Sequence, residues 1–84
     1  MTANDIKYIP FLHQIFTSYD LTYFQQDIVL LYVFGFSVTD IVDHTQRSPT
    51  LIRNSLQFAC LELNCDSIEQ LRSKVMSNLA EIIN

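Results

Sequence analysis

The chain has 84 residues, the length of one small domain. Hydrophobic residues make up 49% of it and charged residues 17%, which excludes an intrinsically disordered protein. Nine acidic residues against five Lys and Arg give a net charge of −4, which argues against non-specific coating of nucleic acid. No apolar run has the length of a membrane helix and no signal peptide opens the chain, so a cytoplasmic protein without membrane association is expected.

The first predicted element is a short helix in an N-terminal extension, residues 1–20. Its apolar residues fall on one face of a helix and are Phe11, Leu12, Ile15 and Phe16. Residues 21–84 are predicted to form the main part of the same compact domain. Because the chain has one Gly and two Pro, helices are favoured over many short strands, and the expected fold class is all-α.

The next helix is predicted from Thr22 to about Phe34. Thr22 and Gln25 have the spacing of a capping box, in which each side chain accepts a hydrogen bond from the other's backbone. Gly35 suits the left-handed residue that often follows a helix end.

A short helix, a tight turn and a longer helix are predicted to follow. Ser37 repeats the start signal and opens a short helix that ends near His44. Ser48 and Pro49 have the form of an N-cap and a first helical residue. The longer helix is predicted to run to about Leu63, with Asn64 as its stop. This succession is the arrangement of a helix-turn-helix.

The last predicted helix opens at Ser67, which forms another capping-box pattern with Gln70. Apolar residues recur along this helix at helical spacing, and they are Ile68, Leu71, Val75, Leu79 and Ile82. They are expected to face the core.

The longer helix of the central pair has two different faces. The residues predicted to face the core are Ile52, Leu56, Ala59 and Leu63. The opposite face is polar, interrupted only by Leu61, and carries Thr50, Arg53, Asn54 and Gln57. No Asp or Glu occurs from His44 to Leu61, whereas Arg47 and Arg53 are both positive, so this segment is locally basic.

The outward face of the second helix in a helix-turn-helix enters the major groove of DNA. Arg pairs bidentately with guanine, and Asn or Gln pairs with adenine. The candidate DNA-binding residues are therefore Arg47, Ser48, Thr50, Arg53, Asn54 and Gln57.

A run of matches from Leu21 to Leu71 aligns this chain, without a gap, with a known family. The matching positions are Leu21 and Thr22, Gly35 and Ser37, Asp40 and Ile41, Ser48, Leu51 to Arg53, Glu62 to Cys65, and Leu71. In these positions the chain resembles the LuxR/GerE-type helix-turn-helix domain. The resemblance implies a four-helix fold, here with an extra short N-terminal helix, and DNA contact through Arg53, Asn54 and Gln57. It also implies a dimeric transcription regulator that often associates through its last helix.

The helix from Thr22 is apolar nearly all round between Ile28 and Phe34, which implies burial on more than one side. Two explanations for this burial remain open. The helix is covered either by the N-terminal helix or by another protein, which would be a second copy or a partner regulator. The candidate interface residues are Phe24, Leu30, Phe34, Phe36, Val75 and Leu79.

Other chemistry has little support in this sequence. Cys60 and Cys65 lack CxxC spacing, and neither they nor His13 and His44 form a metal-binding pattern, so two reduced thiols and no metal or cofactor are expected. There is no paired-carboxylate arrangement, no nucleophile with a nearby base and no Gly-rich phosphate loop, so no enzyme activity is expected.

Two functions fit this sequence. The first is a small transcription regulator that binds double-stranded DNA, and the acid-free segment around Arg53 favours it. The second is a degenerate helix-turn-helix that serves as a protein-binding adaptor or as an antagonist of another regulator. The acidic balance favours this second function, as do Leu30, Phe34 and Phe36, which occupy positions that are usually polar in the family.

Overall fold

The computed structural model describes the backbone of residues 10–83 and the side chains of residues 12–81. A 3-10 helix, Pro10–Phe16, precedes four α-helices, which are α1 (Tyr23–Val33), α2 (Val38–Thr45), α3 (Pro49–Glu62) and α4 (Gln70–Ile83). The described residues contain no strand, and the expected all-α class is confirmed.

The starts of α1 and α2 are capping boxes, as predicted. The Thr22 hydroxyl accepts from the Gln25 N–H at 3.1 Å, and the Gln25 Oε1 accepts from the Thr22 N–H at 2.9 Å. Ser37 and Asp40 make the same reciprocal pair, both hydrogen bonds being 3.1 Å long. Each box satisfies two backbone N–H groups that have no partner within the helix.

The ends of α1 and α3 depend on residues with positive φ. Gly35, just after α1, has a φ of 106°, and Asn64, just after α3, has a φ of 62°. Past Asn64, the Cys65 N–H donates to the Cys60 carbonyl at 2.8 Å and thereby satisfies a carbonyl of the last turn. Both stops were predicted from the sequence, since Gly and Asn adopt this conformation more readily than other residues.

The predicted start of α4 is wrong by two residues, because a Ser67 cap would make Ile68 the first helical residue, whereas α4 begins at Gln70. The Gln70 Oε1 accepts from the Asp66 N–H at 2.8 Å, one residue before the position that a capping box requires. The Gln70 N–H donates to the Ser67 carbonyl at 3.1 Å, which is a tighter, 3-10-like turn. This turn accompanies the packing of Ile68 on the core.

Every described helix contributes to one hydrophobic core, with α1 in contact with all the others. The 3-10 helix packs against α1 and α4 and contributes Leu12, Ile15 and Phe16. The N-terminal extension is therefore a cover for the apolar surface of α1 in this structure. Phe11 and Ile82, which were also predicted to face the core, lie outside the described side chains.

Three of the candidate interface residues belong to this core. Leu30 and Val75 are completely buried, and Leu79 is nearly so. Each of them contributes about 1.5–3 kcal/mol by its burial, and none is accessible to a partner in this structure. The expectation of an interface is thereby corrected for these three residues, because they attach α1 and α4 to the rest of the chain.

Candidate nucleic-acid interface

The position of α3 is determined at its start and along its inner face. The Ser48 hydroxyl accepts from the Leu51 N–H at 3.1 Å, and Pro49 is the first helical residue. Ile52 and Leu56 are fully buried, and α3 packs against α1, α2 and α4. Only residues 46–48 separate α3 from α2, and Gln46 turns the chain with a φ of 59°.

The outward face of α3 carries the polar side chains that the sequence assigned to it. Thr50, Arg53, Asn54 and Gln57 are all exposed. No described carboxylate lies within ion-pair distance of the Arg53 guanidinium, because the one contact of that kind among the described residues joins His13 Nε2 and Asp27 Oδ1 at 3.0 Å.

The other two candidate residues lie just before α3 and are also exposed. The guanidinium carbon of Arg47 lies 5.4 Å from the centroid of the Phe24 ring, a cation–π distance that holds Arg47 beside α1. Ser48 already uses its hydroxyl as the N-cap. Phe24 is half-buried under Arg47, so its ring contributes to positioning this cation.

The remaining described Lys and Arg side chains lie on α4. Arg72 is directed toward the fold, because its Nε donates to the Tyr32 carbonyl at 3.1 Å and its guanidinium carbon lies 4.1 Å from the Tyr32 ring centroid. Lys74 is exposed. In the turn and on α3 themselves, positive charge is therefore supplied by Arg47 and Arg53.

Apolar side chains share the outward face of α3 with the polar ones, which sequence reasoning recognised only in part. Leu61 is 78% exposed, Leu51 40% and Phe58 38%. On a helical wheel Leu61 projects between Asn54 and Gln57. The spacing of Leu51, Asn54, Phe58 and Leu61, which is three, four and three residues, is a sequence signal that indicates a second stripe on α3.

The other candidate interface residues lie around the end of α1. Phe34 is 39% exposed, whereas Phe36 is half-buried and packs against the core. Of the six residues proposed from the sequence, Phe34 is the one with an exposed side chain, since Phe24 is also half-buried.

The two cysteines are free thiols near the end of α3. Burial raises the pKa of Cys60, with smaller contributions in the same direction from Cys65 and Glu69. Burial also raises the pKa of Cys65, although Lys74 opposes this effect. Both thiols are therefore protonated at neutral pH, which disfavours nucleophilic chemistry. Within the described part of the chain, no three His, Cys, Asp or Glu side chains are grouped as metal ligands would be.

None of the described helices combines the length and the apolar character needed to cross a lipid bilayer.

The outward face of α3 is a place where exposed cationic, amide and apolar side chains meet. Comparison with known proteins finds no matching family model, no similar curated protein and no matching solved structure.

Proposed function

We propose that this protein is a small transcription regulator that binds double-stranded DNA through the outward face of α3. In this proposal it is a divergent LuxR/GerE-type helix-turn-helix, with α2 as the first helix of the motif, residues 46–48 as its turn and α3 as its reading helix. The observation that supports this most is the segregation of α3 into two faces. Arg53 and Asn54 are exposed, whereas the preceding Ile52 is completely buried.

The side chains on the outward face of α3 suit particular base edges. Arg53 would donate two hydrogen bonds to O6 and N7 of guanine. Asn54 and Gln57 would each pair with N6 and N7 of adenine. Arg47 and Thr50, near the start of α3, would contact phosphates, which the positive end of the helix dipole also favours.

The small number of positive charges near the α2–α3 turn limits how tightly the chain can bind DNA. With Arg47 and Arg53 supplying the positive charge near the turn, only a few phosphates would be neutralised. The logarithm of the binding constant should then fall with the logarithm of salt concentration with a slope of roughly −1 to −2 per chain, since each neutralised phosphate contributes about −0.9. Binding would therefore be observed most readily at low ionic strength.

An NMR titration with a mixed-sequence DNA duplex at low ionic strength tests the proposal. Amide resonances of residues 48–57 should shift, while those of residues 28–33, which are buried in α1, serve as the internal control. If no duplex shifts residues 48–57 under these conditions, DNA binding by α3 is refuted.

The resemblance also suggests a dimer that forms through the last helix. Because Val75 and Leu79 face the core, such a dimer would use the other side of α4, where Met76 is 50% exposed.

A protein-binding module is the second candidate function, and the exposed apolar residues favour it. Phe34 lies exposed at the end of α1, and Leu51 and Phe58 are exposed on α3, within a chain of net charge −4. This adaptor or antagonist would show no DNA titration. Its capture of a partner regulator would be weakened by Phe34→Ser and would not be weakened by Thr17→Ala, a change on the exposed side of the N-terminal segment.

A further inference from the structure

Positive charges lie at the start of α3, whereas negative charges lie at its end and in the loop that follows it. Arg47 and Arg53 lie at the start of α3, and no acidic residue occurs from residue 44 to residue 61. The acids at the other end are Glu62, Asp66 and Glu69; Asp66 and Glu69 are exposed, whereas Glu62 is half-buried and its Oε1 accepts from the Asp20 N–H at 3.0 Å. The outward side of α3 therefore has a positive end and a negative end, joined by the apolar stripe of Leu51, Phe58 and Leu61.

A surface with opposite charges at its two ends is complementary to itself. A two-fold axis perpendicular to α3 places the start of the helix in one copy over its end in the other copy. We propose that a second copy of this chain docks antiparallel on the outward face of α3, with the positive end of each helix over the negative end of the other.

The helix rise determines which residues meet in this dimer. If Leu51 lies opposite Leu61 of the other copy, residues whose numbers sum to 112 are opposite each other, because the rise per residue is the same in both helices. Asn54 then lies opposite Phe58, within the seam. Arg47, two residues before α3, lies beyond this end of the seam, on the side where the other copy's loop carries Asp66.

The end of α3 has a groove that suits the proposed contact. Its apolar lining consists of Cys60, Leu61, Cys65 and Ile68, and its rim carries Asp66 and Glu69. In the antiparallel dimer, the start of α3 from the other copy lies over this groove. Leu51 would cover the apolar lining, and Arg47 would face the acidic rim.

A second copy fits this face better than an unrelated helix does. An unrelated acidic or basic helix would complement one end of α3 and be repelled at the other, whereas a second copy complements both. A single helix from each chain buries less than the roughly 1,200 Å² typical of stable interfaces. The dimer should accordingly be reversible and of micromolar affinity.

Dimerisation of this kind would cover the side chains proposed to read DNA. Arg53 and Asn54 lie on the same outward face, so a chain in the dimer could not place them in the major groove. The competition between dimerisation and DNA binding for this face rests on the proposed function. The dimer itself does not rest on it, because dimerisation involves no DNA and is measured without it.

Sedimentation equilibrium of the full chain, without DNA and over a range of concentrations, tests the dimer. The wild type should convert from monomer to dimer across the micromolar range. Leu61→Lys should raise the dissociation constant roughly tenfold or more, because it places a charge against Leu51 of the other copy at both ends of the apolar seam. Tyr23→Lys, a matched change at a side chain that is 74% exposed on α1, should leave the constant unchanged, and Met76→Lys should raise it only if the copies meet through α4 instead.

A charge exchange tests the antiparallel orientation. Arg47→Glu or Asp66→Arg alone should raise the dissociation constant roughly threefold to tenfold, because each change sets like charges against each other at both ends of the pair. The double variant should recover the wild-type constant.

Three results would overturn the proposal: a monomer at every concentration, a dimer that responds to Met76→Lys and not to Leu61→Lys, or no recovery in the charge exchange. Each of these outcomes is independent of DNA binding. Failure of the dimer is therefore distinguishable from failure of the proposed function.

Discussion

Substitutions at two adjacent residues of α3 should affect different properties, one the stability of the fold and the other the affinity for DNA. Ile52 is completely buried, so Ile52→Ala removes core methyl groups and leaves a cavity. The free energy of unfolding should fall by about 2–5 kcal/mol. In a domain of 84 residues each kcal/mol lowers the melting temperature by about 4–8 °C, so the loss should be at least ~8 °C.

Arg53→Ala changes the neighbouring residue on the opposite face. Arg53 is exposed, and a surface change of this kind should alter the free energy of unfolding by no more than about 0.5 kcal/mol. Loss of a bidentate contact to guanine should weaken DNA binding by about 1–3 kcal/mol, which is roughly 5-fold to 150-fold in the dissociation constant.

Urea unfolding followed by circular dichroism measures the first quantity, and fluorescence anisotropy of a labelled duplex at fixed low salt measures the second. Lys74→Ala, which removes an exposed cation from α4, is the matched control and should weaken binding less than Arg53→Ala does. Wild-type affinity in a folded Arg53→Ala variant would refute the assignment of α3 as the reading helix. A loss of stability in Arg53→Ala as large as that in Ile52→Ala would refute the assignment of its faces.

Three further predictions concern the fold. Gly35→Ala should lower the free energy of unfolding by about 1–2 kcal/mol through backbone strain alone, because the φ of Gly35 is 106° and an added β-carbon meets no atom within 4 Å. An unchanged urea unfolding curve would contradict this. Thr22→Ala should lower the same quantity by about 0.5–2 kcal/mol through loss of the cap, whereas Thr22→Ser should retain most of it in the same measurement. The raised pKa of Cys60 should make alkylation of this thiol slower in the native protein than in urea, and equal alkylation rates at neutral pH would count against it. The contribution of Cys60 to the free energy of unfolding should also diminish as the pH rises above the ordinary pKa of 9.0, because the thiol ionises first in the unfolded chain.

Helix boundaries were predictable where hydrogen bonds between near neighbours decide them. Thr22 with Gln25, and Ser37 with its partner three residues later, form the boxes that their spacing predicts. Ser67 and Gln70 have the same spacing, yet α4 begins only at Gln70. The local signal is equal in the three cases, and the difference at α4 accompanies packing of Ile68 on the core, a contact that no local pattern contains.

The polar face of α3 was predictable, but its apolar component was underestimated. Periodicity indicated correctly that Ile52 is buried and Arg53 exposed. It did not indicate that Leu51 and Phe58 are each more than one-third exposed. The width of the buried arc on a helix depends on how closely its neighbours approach, and this is a property of the packed domain.

The sequence by itself determined where α1, α2 and α3 begin, where α1 and α3 stop, and which side of α3 faces the core. Capping, positive φ and helical periodicity act over a few residues and can therefore be read along the chain. The tertiary structure decided which apolar residues are covered: the N-terminal helix lies on α1 and α4, Leu30 and Val75 are withdrawn into the core, and Leu61 is left outside. The reason is physical, since burial of apolar area has no direction of its own and depends on which elements come together.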